Sequence, residues 1–208
     1  MNSCCDNDTV LKLQRGRQTG TLVTVLAVNV VMFIVIVGAA LYSMSSALLS
    51  DGLDNLGDAL TYGLSLYAVS RGPAVKARVA LFKGGLIFLA ACGVAAQIVY
   101  KLFVPTVPVF EVMGLFGALG LAANLLCLFL LWRHRNEDIN MGSVWECSRN
   151  DVVSNLSVLL AAAAVWLTAS GWPDLLVAVC LVVFLMRSAL NVIASSLAEM
   201  RVAAGGQA

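Results

Sequence analysis

Apolar residues fall into six long stretches, at 21–44, 47–69, 79–103, 112–132, 144–170 and 175–196, separated by short polar or Pro- and Gly-punctuated turns. About 20 mostly apolar residues are enough for a helix to cross a hydrocarbon core roughly 30 Å thick. The pattern therefore predicts an all-α integral membrane protein, a six-helix transmembrane bundle. A tail at 1–20 precedes it, the bundle occupies 21–196, and a short tail at 197–208 follows. The first stretch is too long for a signal-peptide core and lacks a small-residue cleavage site. Pro105 and Pro108 mark one turn, and Gly171 and Pro173 another, with Trp172 suited to a membrane interface.

Composition sharpens this picture. Of 208 residues, 60% are hydrophobic and 12% charged, and the mean hydropathy is +0.89. Soluble domains carry about twice that charge. A net charge of +1 supplies no cationic surface for phosphates, so nucleic acid is excluded as a partner. The single histidine, His134, argues against a His-built catalytic or metal site, and its setting between Arg133 and Arg135 reads as a solvated loop. Lysines and arginines concentrate on one side: Lys12, Arg15 and Arg17, then Arg71, Lys76, Arg78 and Lys83, then Arg133 and Arg135, then Arg201. The opposite loops carry only Lys101, so both termini are expected in the cytoplasm, in a multi-pass protein of the cell (inner) membrane. Cys92, Cys127 and Cys180 lie in separate apolar runs and read as small hydrophobes.

Spans two and five contain what a lipid-facing helix should not. Asp51, Asp54 and Asp58 fall within an arc of about 60° on one helix face. In span five, Cys147 and Asp151 are one turn apart, with Ser154 and Asn155 on the next turn. An aspartate at bilayer depth costs at least about 2.5–3.5 kcal/mol, so these groups must face a bundle interior or a wet path. Arg149 and Arg187 could pair with some of them, and Asp51 could sit among headgroups at the span's end. Ligand pairs at i and i+4 on two facing helices would supply about four groups to a divalent cation. Carboxylates alone suit hard ions, whereas a Cys147 thiolate moves the preference toward Zn²⁺ or Cd²⁺. Packing is the alternative reading of Cys147.

These two segments resemble those of the cation diffusion facilitator family. Leu48 to Asp58 is similar to that family's second-helix pattern Leu-Leu-Ala-Asp-x-x-(His or Asp)-x-x-x-Asp, with Ser50 replacing the alanine. Cys147-x-x-x-Asp151 occupies the place of (His or Asp)-x-x-x-Asp in the fifth helix, and Asn29, Asn124 and Pro173-Asp174 add support. The resemblance implies a six-helix homodimeric exporter, not an enzyme, that exchanges divalent metal for protons. It implies a transport site of Asp54, Asp58, Cys147 and Asp151, no resident cofactor, and a transiently bound metal ion as cargo. Asp51 and Asn155 would extend the metal or proton path, and Cys4 and Cys5 could capture soft metal ahead of it. The family usually carries a cytoplasmic C-terminal domain, so a chain ending at Ala208 reads as a short form whose dimer rests on membrane contacts. A proton-coupled transporter or channel for a small solute, or a membrane subunit that binds metal without moving it, would use the same carboxylates.

Overall fold

In the computed structural model the backbone is described for residues 4–68, 73–133 and 139–205, with side chains described for 19–64, 66, 77–78, 80–133, 145 and 148–201. Six helices follow in order: α1 (Cys4–Ser43), α2 (Ser46–Ala68), α3 (Pro73–Phe103), α4 (Phe110–Trp132), α5 (Ile139–Thr168) and α6 (Trp172–Gly205). Four clearly exceed the predicted spans. The backbone of α1 is already helical at Cys4, α3 starts at Pro73, α5 starts at Ile139, and α6 continues to Gly205. Good helix formers outside the apolar windows extend these helices, because propensity does not stop where hydropathy does.

Five segments are long and apolar enough to cross a membrane unaided: Thr19–Ser43, Ala80–Phe103, Phe110–Trp132, Ser148–Thr168 and Trp172–Arg201. The exception is α2, the helix with three aspartates. It is instead surrounded, packing against α1, α3, α5 and α6, while α3 pairs with α6 and α4 with α5. The outer faces are apolar: Ile34, Leu89, Leu115, Phe129, Leu160 and Leu176 are all exposed. Asn29, Asn55, Asp58, Asn124, Asp151 and Asn155 are buried. A chain with apolar groups outside and polar groups inside is built for lipid as its solvent.

Close approach of α4 to α5 depends on two glycines. The buried face of α4 is Met113, Gly117, Gly120, Asn124, Cys127 and Leu131, a helical stripe. A Cβ at Gly117 would touch Leu159 at 3.3 Å, and one at Gly120 would collide with Asn155 Oδ1. Small residues at such crossings let helix backbones approach closely without a side chain between them.

The turns are gathered at one end of the bundle. At the end of α1, Met44 is left-handed (φ 57°), and Ser45 N–H donates to the Ala40 carbonyl at 3.1 Å. This is a Schellman closure, here made without the usual glycine. Ser45 then N-caps α2, its hydroxyl accepting from Leu48 N–H at 3.0 Å. Val109 N–H, just before α4, donates to the Ser43 carbonyl at 3.0 Å, tying that loop to the end of α1.

A candidate cation site inside the bundle

Asp58 lies twelve residues into α2, about 18 Å from Ser46 along the axis and close to the middle of a 30-Å core. It is buried, 6% exposed, as is Asp151 on α5 at 5%. The two carboxylates lie side by side where α2 meets α5, and Asp54 and Asp51 are near enough to act on Asp151 electrostatically. Asp54 is partly buried on the same face. Asp58 and Asp151 are thus neighbours from two helices about 100 residues apart in the chain, with Asp54 within electrostatic reach. The backbone of Cys147 stands one turn before Asp151 in α5, but its side chain lies outside the described residues. Among the described residues, no three His, Cys, Asp or Glu side chains are gathered closely enough to hold a metal ion.

Around the pair the interior is polar and under-satisfied. Asp51 is 1% exposed, and neither of its carboxylate oxygens meets a hydrogen-bond donor. Asn55 Nδ2 donates back to the Asp51 carbonyl at 2.9 Å. Asn155 Nδ2 donates in the same way to the Asp151 carbonyl at 2.9 Å. Each helix therefore repeats an aspartate followed one turn later by a back-bonded asparagine. That bond uses the amide nitrogen and leaves Asn155 Oδ1, fully buried, without a donor. Asn29 does likewise on α1: Nδ2 donates to the Val25 carbonyl at 2.9 Å, and Oδ1 has no partner. Buried oxygens without donors are costly, and a set of them facing one interior suits a cation better than it suits packing.

Neither arginine that could pair with these carboxylates is buried among them. Arg149 is exposed and lies over the Trp145 ring, 5.6 Å from its centroid. Arg187 is exposed on α6. At the turn end Asp174 pairs with Lys101, 3.4 Å from its Nζ.

Cys127 is a small buried core residue, as expected, packed with Val25, Tyr62 and Leu131, its sulfur 4.0 Å from Asn29 Nδ2. One feature was not anticipated. Lys101, expected in an open loop, is 3% exposed in the last turn of α3. Nothing local to Lys101 or Asp174 announces their pairing across 73 residues. The side chains of Cys4 and Cys5 and all of His134 lie outside the described residues.

Fold and interior together define a multi-pass membrane protein with a buried acidic centre. The family model described as the cation efflux transmembrane domain matches residues 22–200, and the chain belongs to that family, the cation diffusion facilitators. It is 27% identical over 201 residues to the cation efflux system protein CzcD of Alcaligenes sp. (strain CT14), covering 86% of this chain and 62% of that protein. The same figures hold for the metal cation efflux system protein CzcD of Cupriavidus metallidurans. The chain thus spans just under two thirds of the length of these curated relatives.

Proposed function

We propose that this chain is a transporter that moves divalent transition-metal cations, Zn²⁺ or Cd²⁺, out of the cytoplasm in exchange for protons. The observation that carries the reading is the approach of Asp58 on α2 to Asp151 on α5, two buried carboxylates side by side in the bundle interior. Asp54, Asp58 and Asp151 would supply oxygen ligands, and Cys147, one turn from Asp151, a softer fourth. Asp51 and Asn155 continue the path toward the turn end, where both present buried oxygens without donors. Oxygen and thiolate ligands bind metal in their deprotonated forms, so loading expels protons and returning protons expel metal. Exchange needs no resident cofactor. The Lys and Arg bias supports termini in the cytoplasm, and an inward proton gradient would drive the metal outward. The names of the CzcD relatives support cation efflux, and the protein would work as a homodimer.

Proteoliposomes carrying a pH reporter test this. Zn²⁺ added on one side should drive protons toward that side from the other, and Asp58→Ala should abolish it. Proton flux indifferent to metal would instead make the aspartates a relay for another solute. Saturable Zn²⁺ binding without flux of either ion would make the chain a binding subunit.

A further inference from the structure

At the turn end, one carboxylate from α6 organises the start of α2. Asp174 is fully buried. Its Oδ2 accepts from Ser46 N–H at 2.8 Å. Its Oδ1 accepts from Ala47 N–H at 3.0 Å and from the Ser45 hydroxyl at 2.6 Å. Leu48 N–H is taken by Ser45 Oγ. The first three amides of α2, which no helical carbonyl can satisfy, therefore all resolve onto Asp174 or the hydroxyl bonded to it. Lys101 closes the arrangement from α3, donating to Asp174 Oδ2 and to the Met44 carbonyl.

Ser45 alone is a sufficient N-cap for a helix. A second cap reaching in from another helix adds position. Two successive amides bound to the two oxygens of one planar carboxylate define both the height of α2 and its rotation. At 100° per residue, a slip of one residue would turn Asp51, Asp54 and Asp58 away from α5. The carboxylate belongs to α6, which pairs with α3, and Lys101 belongs to α3. The α1–α2 hairpin is thus indexed against the α3–α6 pair at this point.

We infer that Asp174 is a positioning residue for the cation site, acting through the first turn of α2 and held in place by Lys101. This rests on the proposed reading of the α2 carboxylate face as the metal path. The full chain in nanodiscs tests it by two readouts: amide hydrogen exchange over residues 46–48, and Zn²⁺ affinity. In Asp174→Ala, exchange there should accelerate on the order of tenfold, the size of losing a cap, and Zn²⁺ affinity should fall by a similar factor. The neutral pair Asp174→Asn with Lys101→Met keeps the shape and one acceptor, and should recover part of both. It also carries the test by the same criteria should Asp174→Ala fail to fold. Unchanged exchange over 46–48, or faster exchange with wild-type Zn²⁺ affinity, would overturn the inference. A wild type without Zn²⁺ affinity would defeat the metal reading alone, and exchange would still decide whether Asp174 places α2.

Discussion

Asp51 and Asp174 are equally hidden aspartates with opposite surroundings. Asp174 receives a hydroxyl, two amides and an ammonium group. Asp51, five residues into α2 and about 8 Å from the same helix start, receives nothing. Burial alone therefore does not distinguish a structural carboxylate from one held ready for a ligand. The donor inventory does. Where the fold needs a charge it surrounds it with donors, and a chain that leaves Asp51, Asn155 and Asn29 short of them tolerates that cost for something the bundle interior receives.

The contrast can be broken in order of expected effect. The largest change should come from Asp58→Ala, with a fall in Zn²⁺ transport of at least about 100-fold, since even outer groups around a metal are worth 10–100-fold. Metal uptake into vesicles checks it. Asp174→Ala should, beside its smaller effect on Zn²⁺ affinity, cost about 3–5 kcal/mol of stability by leaving Lys101 buried without its counter-charge, which a thermal melt in detergent reads. A methyl group at Gly120 meets Asn155 Oδ1 and, at 3.1 Å, Ile36 Cδ1. Gly120→Ala should cost about 1–3 kcal/mol by overpacking the α4–α5 contact, again seen as a lower melting temperature. Smallest of all, Asp51→Asn should leave the melting temperature unchanged or raised, within about 0.5 kcal/mol, while slowing transport. If Asp51→Asn instead destabilised as much as Asp174→Ala, the distinction between the two aspartates would collapse.

Much of this was legible in the sequence. Six apolar stretches located the helices, because lipid demands a run of fixed length whatever else the chain does. The period of Asp51, Asp54 and Asp58 placed them on one face, and the resemblance paired Asp54-x-x-x-Asp58 in α2 with Cys147-x-x-x-Asp151 in α5. The clasp was not legible, since Lys101 looks like any cation at the end of a span until α6 delivers Asp174 to it. Cys127 read as packing and is packing, although its contact with Asn29 required the fold that brings α1 against α4. The local pattern thus specified faces of helices, whereas their partners across the bundle required the fold. Asn155 lies between these cases. Its place one turn after Asp151 was visible, but the orphaning of its oxygen depends on the approach of Gly120.

Zinc K-edge absorption of the loaded chain in nanodiscs tests the central claim most directly, with wild type beside Asp58→Ala. The account predicts a wild-type shell dominated by oxygen at about 2.0–2.2 Å, with one sulfur at about 2.3 Å from Cys147, and loss of bound zinc in the variant. Zinc that remains bound in Asp58→Ala with the wild-type shell would contradict it.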